Sequence, residues 1–206
     1  MMINEELLIE YNECDCDYIG IIIDYIKIKY PIILSLFGLE SLDKKVYIKL
    51  WDNKDNFRDN LKKLTGFDMP IWAIGMAKND ATDSYSRIDY LSLREIKNID
   101  FHKNKDINDL KKGIVHELVH ICHTEFCNYN YPDDNFVTEG VATYLANQYE
   151  GAKQTEDIKK IMSDIVVPYN DYRFLFDKMM EVCNQKEIQE ILKGNNEKLN
   201  DLNILK

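Results

Sequence analysis

The segment His116-Glu117-Leu118-Val119-His120 limits what this chain can fold into more than any other feature. It lies in a run from about Asn108 to Phe126 whose apolar residues Leu110, Ile114, Val115, Leu118, Val119 and Ile121 predict a buried helix. Residues four apart share a helical face, so His116 and His120 can aim their imidazoles at one point and bind one zinc ion. Glu117 then stands beside the metal. There it can take a proton from a water whose pKa the metal lowers towards about 7, and pass it to a leaving group. The pattern predicts metal-assisted hydrolysis.

A catalytic zinc usually keeps three protein ligands and one open position. His123 stands seven residues from His116, a rise of about 10 Å along a continuous helix, so it is expected at the helix end or behind the ligands. A metzincin arrangement would need a glycine turn after the second histidine, and Ile121-Cys122-His123-Thr124-Glu125-Phe126 contains none. Glu125, Asp133 and Asp134 are expected to be solvated carboxylates at the helix end and around the turn at Pro132. Glu139 is the stronger third candidate. It lies near the start of a second helical segment, Phe136 to Tyr149, joined to the first by a loop from Asn128 to Asp134 that lets the two helices run as antiparallel neighbours. On that segment Glu139 shares a face with Ala142, Thr143 and Ala146, small residues that allow a close approach to a metal.

Composition narrows the partners. A length of 206 residues suits one ordinary domain, and 45% hydrophobic with 30% charged residues is the balance of a chain that folds. The formal charge of -10 argues against a phosphate-binding surface, which needs clustered cations, so no nucleic acid is expected. The acidic start, MMINEELLIEYNECD, lacks the positive charge and apolar run of an export signal. The most apolar stretch, Ile19 to Phe37, is interrupted by Asp24, Lys27, Lys29 and Pro31, which argues for a core helix and against a membrane span. Five cysteines in no structural-zinc spacing fit reduced thiols. A cytoplasmic location is the resulting expectation.

The pattern along the chain predicts an α+β domain covering residues 1–206, with an N-terminal helix and a small mixed sheet followed by a helical half. Helix is expected from about Asp17 to Lys29 and, after a break at Pro31, from Ile32 to Phe37, with Gly38 as the stop. Val46 to Trp51 reads as a strand, and Asn53 to Leu64 as an amphipathic helix closed by Gly66. Ile71 to Ala77 and Arg87 to Leu93 flank the polar segment Lys78 to Ser86 and predict a hairpin with a long loop. From Ile107 onward the pattern is helical.

The HELVH segment followed by Glu139 in Thr138-Glu139-Gly140-Val141-Ala142-Thr143-Tyr144-Leu145 resembles the gluzincin metallopeptidases, especially their aminopeptidase N-like and peptidase MA-like branches. The resemblance covers roughly Ile71 to Leu192 and implies a zincin-like fold, one zinc per chain and a peptide or protein substrate. It marks Glu139 as the glutamate ligand, with Thr138 standing where the family often has Asn. The segment Val167-Pro168-Tyr169 is similar to the one in which these enzymes carry a tyrosine that hydrogen-bonds the substrate oxyanion; Tyr169 is the implied residue and Tyr172 its alternative. Gly75-Met76-Ala77-Lys78-Asn79 resembles the aminopeptidase G-A-M-E-N signature, which implies substrate contacts at Gly75, Met76 and Ala77. Lys78 replaces the glutamate that captures a free substrate amine there, which turns the expectation towards endopeptidase or specialised hydrolase action. The competing expectation is a zinc-binding or interaction module that keeps the fold without the chemistry; the intact Glu117 speaks against it.

Overall fold

A computed structural model describes residues 1–132, 135–162 and 167–195. Among them four strands form one mixed sheet in the order β1-β2-β4-β3: β1 (Leu7–Glu10), β2 (Val46–Trp51), β3 (Gly75–Lys78) and β4 (Ser86–Leu91). The first three in spatial order run parallel and β3 closes one edge antiparallel to β4. Alternation explains which face is buried. Val46, Ile48 and Leu50 of β2 point into the core, and register places Ile48 between Ile9 and Ile88.

The crossover between β1 and β2 is α1 (Ile19–Phe37), whose Ile19, Ile22, Ile23, Ile26, Tyr30, Ile33, Leu34 and Phe37 form one buried stripe at helical spacing. Each fully buried Ile or Phe contributes about 1.5–3 kcal/mol by leaving water. The expected break at Pro31 does not occur: α1 runs through it. Pro31 lies on the exposed face, so the carbonyl of Lys27 that loses its partner also faces water, and the buried stripe holds the two halves in line. Gly38 ends the helix in the left-handed conformation, at φ 72°, as expected. The second strand-to-helix unit adds α2 (Lys54–Thr65), capped by Asn53 and burying Phe57 and Leu61. The expected hairpin is present in shortened form, and Ser92 caps a short α3 (Leu93–Lys97) where the strand was expected to continue. Strand β1, which carried no expectation, is a core element with Leu7 and Ile9 fully buried.

The helical half contains α4 (Ile107–Phe126), α5 (Asn135–Leu145), α6 (Ile158–Met162), α7 (Tyr169–Val182) and α8 (Gln185–Leu192). The start of α4 is fixed by Asp106, whose carboxylate accepts from the Asn108 and Asp109 amides. α4 packs on α1, α5, β3 and β4, which makes it the central element of an α+β fold. Its approach to the sheet is set at Gly113 and Gly75, which lie on either side of Tyr90. A Cβ at Gly113 would sit 2.0 Å from the Tyr90 hydroxyl, and one at Gly75 would sit 2.2 Å from the Tyr90 ring. Among the described residues no helix is long and apolar enough to cross a membrane.

Candidate metal centre

Two helices bring three side chains to one point. His116 and His120 sit one turn apart on α4, and Glu139 reaches them from the second turn of α5. His116 Nε2 lies 3.0 Å from His120 Nε2 and 3.0 Å from Glu139 Oε2, while His120 Nε2 lies 3.7 Å from Glu139 Oε1. Ligands about 2.0–2.1 Å from a tetrahedral zinc stand roughly 3.3–3.4 Å apart, so this triangle suits such an ion. Glu139 Oε2 is buried without a well-directed hydrogen bond, an acceptor that a cation would satisfy. The three groups fit a divalent metal by spacing and by donor chemistry.

The electrostatics of the cluster point the same way. Burial alone would raise the Glu139 carboxyl, yet His120 and His116, helped by the Tyr169 hydroxyl, hold it down at about 2. Burial lowers His120 to about 4, whereas at His116 the same desolvation is outweighed by the Glu139 and Glu117 carboxylates, and the imidazole is raised. Two imidazoles and a carboxylate this close suit a positive charge, either a proton on His116 or a cation held between them. Glu117 is raised to about 7, chiefly by burial and also by Glu139, with His116 and a hydrogen bond from the Ala77 amide offsetting part of the shift. A carboxylate tuned there can both accept and return a proton near neutrality.

The edge strand explains the Ala77 contact. The Leu91 amide donates to the Ile74 carbonyl at 2.9 Å, and the register pairs Met76 with Asp89. Antiparallel alternation therefore turns the backbone groups of Gly75 and Ala77 away from β4, towards α4. Gly75, Met76 and Ala77 line a cleft of about 660 Å³ together with His116, Glu117, His120, Glu139 and Tyr169. A second hollow of about 360 Å³ opens on the other side of His116 and Glu117, walled by Met69, Trp72, Ile74, Tyr90 and Tyr149.

Tyr169 opens α7 with its hydroxyl near enough to Glu139 to help lower that carboxyl, and with its ring 6.0 Å from that of His116. Tyr172 is buried elsewhere, where its hydroxyl accepts from the Val167 amide. Lys78 lines the cleft and pairs with Asp83 at 3.0 Å. His123 is away from the cluster, fully buried, with Nε2 donating to the Leu192 carbonyl at 2.6 Å. Glu125 is not the solvated carboxylate expected: it is 8% exposed and accepts from the Asp43 amide. It lies on the face of α4 turned to the loop after α1, where burial raises its pKa. Asp133 and Asp134 lie outside the described residues.

Two residues that sequence reasoning did not assign complete the surroundings. Gln148 Oε1 lies 2.9 Å from His116 Nδ1, and the Tyr131 hydroxyl lies 2.7 Å from His120 Nδ1. Tyr131 sits in the loop already expected between the helices, but nothing in its spacing marks it; Gln148 was expected to be helical, and α5 ends before it at Leu145. No protein-family model matches the chain, and neither curated proteins nor solved structures give a match.

Proposed function

We propose that this chain is a zinc-dependent metallopeptidase with a zincin-like fold of the gluzincin type, holding its metal through His116, His120 and Glu139. The observation that carries the reading is the convergence of those three groups at 3.0–3.7 Å, with Glu117 beside them and an open strand edge alongside. When bound, zinc lowers the pKa of water towards about 7 and polarises the scissile carbonyl.

The chain's own residues supply the rest. An extended peptide adds to the free edge of β3 by pairing with the outward groups of Gly75 and with the Ala77 carbonyl, which lays its own carbonyl beside the metal ligands. Glu117, oriented by the Ala77 amide, removes a proton from the attacking water and returns it to the leaving amine. Tyr169, which lines the cleft, donates its hydroxyl to the substrate carbonyl oxygen as negative charge develops there, a charge-assisted bond. The hollow beside His116, walled by Trp72, Ile74, Met69 and Tyr149, suits a bulky apolar side chain next to the scissile bond. Lys78 at the cleft offers nothing to bind a free substrate amine, which favours cleavage within a chain.

The test is cleavage of a complex peptide mixture by zinc-loaded protein, read by mass spectrometry, with Glu117→Gln alongside. The expected result is cleavage by wild type and a loss of about 10²–10⁴-fold in Glu117→Gln at unchanged zinc content. Zinc held by both proteins with no cleavage by either favours a non-catalytic zinc-binding module.

A further inference from the structure

The residue directly opposite Tyr90 in the sheet is Gly75, on the edge strand. Opposite residues of an antiparallel pair turn their side chains to the same face. Gly75 has none, so the Tyr90 ring crosses the place a side chain there would fill and reaches the rim of the sheet. Its hydroxyl goes further and stops against Gly113 of α4. Gly113 and Glu117 are four apart and share a helical face, which puts this hydroxyl one turn, about 6 Å of helix rise, from Glu117. Tyr90 is only 5% exposed, and it lines the smaller hollow beside His116. Among the described residues nothing hydrogen-bonds its hydroxyl. A buried polar group without an internal partner calls for one from outside.

The walls of the hollow narrow the choice of partner. Met69 and Ile74 pack against the core, while Trp72 and Tyr149 stand half-exposed. Both aromatics are nevertheless held in place. His102 Nε2 donates to the Trp72 carbonyl at 2.7 Å, Arg58 donates to the neighbouring Ile71 carbonyl at 2.6 Å, and the Tyr149 ring stacks on Tyr169 at 6.4 Å. Fixed, half-exposed aromatic walls that end in a hydroxyl match a side chain with an apolar ring and a polar tip. Phenylalanine would leave the Tyr90 hydroxyl unpaired. A lysine or arginine would meet Lys105, and an aspartate or glutamate would meet Glu117.

We propose that the hollow binds a tyrosine side chain of the substrate, carried by the peptide residue that registers with Gly75, and that the two phenol hydroxyls bond to each other at its floor. A strand added beyond β3 turns the residue opposite Gly75 to the face that Tyr90 occupies one strand further in, so its side chain enters the hollow whichever way the peptide runs. Tyr90 is thus a specificity-determining residue. Its place beside a scissile bond rests on the metallopeptidase reading; the preference of the hollow for a phenol does not.

The test compares the full chain with Tyr90→Phe, which deletes a hydroxyl that bonds nothing inside the protein, so thermal unfolding of the two should agree. N-acetyl-tyrosinamide and N-acetyl-phenylalaninamide are titrated into metal-free protein and followed through the backbone amide resonances of Gly75 and Gly113. Zinc-loaded protein is given paired peptides that differ only in tyrosine or phenylalanine. Wild type should bind the tyrosine amide, and cleave beside tyrosine, about 10-fold better than the phenylalanine counterpart, and in Tyr90→Phe both ratios should fall to about one. The amides decide the inference: no binding, a wild-type ratio near one, or a ratio that survives Tyr90→Phe overturns it. Discrimination between the amides without cleavage of any peptide refutes the peptidase reading and supports the phenol site. Cleavage of peptides by a protein that does not distinguish the amides refutes the phenol site alone.

Discussion

His123 follows His120 by less than one helical turn yet serves the core. Its Nε2 donates to the Leu192 carbonyl, its ring stacks on Phe37 at 5.3 Å, and Nδ1 is buried with no acceptor for a second proton. Burial lowers its pKa to about 4, against about 6.5 in an unfolded chain. The folded state therefore binds fewer protons between those values. Its stability is full above about pH 6.5 and falls as pH drops towards about 4, with roughly 2 kcal/mol lost by pH 5. Urea unfolding of metal-free protein at pH 7 and pH 5 measures this; His123→Gln, which keeps a donor for Leu192, should remove that part of the pH dependence. An unchanged pH dependence in the variant would contradict the assignment. The candidate ligands were legible at this scale because i and i+4 on a helix fix a shared face before any tertiary structure is known. The burial of Glu125 was not, since it depends on the Asp43 amide, 82 positions away in sequence.

At the scale of elements, the site depends on how closely α4 approaches the sheet. Tyr90 is wedged between Gly113 and Gly75, so an added methyl at position 113 meets the hydroxyl at 2.0 Å and the ring carbon behind it at 2.7 Å. Gly113→Ala should destabilise the protein by about 1–3 kcal/mol, and Tyr90→Phe in the same background should recover part of that loss. Chemical denaturation of the single and double variants checks it. A neutral Gly113→Ala would mean that α4 has room to move. Sequence periodicity found β2, α2, the hairpin and α4 because each has a period that its own residues display. It missed β1, whose four residues are too short a run to show alternation. It broke α1 at Pro31 because the cost of a proline depends on which way its lost hydrogen bond faces.

For the whole molecule, the arrangement assigns one task to each part. The sheet offers an open edge at β3, α4 and α5 hold the ligands, and α7 brings Tyr169 over them. A continuous core running from Ile3 to Leu192 ties these parts together, so the site is a product of the complete fold and not of the HELVH segment alone. Tyr131 and Gln148 could not be read from the sequence for the same reason: their contacts with His120 and His116 arise where the chain leaves α4 and α5, and no local pattern records where a helix exit points. His116, His120 and Glu139 should together hold one metal ion. Elemental analysis of untagged protein, wild type beside His116→Ala and Glu139→Ala, tests it most directly. A three-ligand site gives about one zinc per chain in wild type and loss in both variants. Wild type without zinc after reconstitution, or zinc that survives Glu139→Ala undiminished, would contradict it.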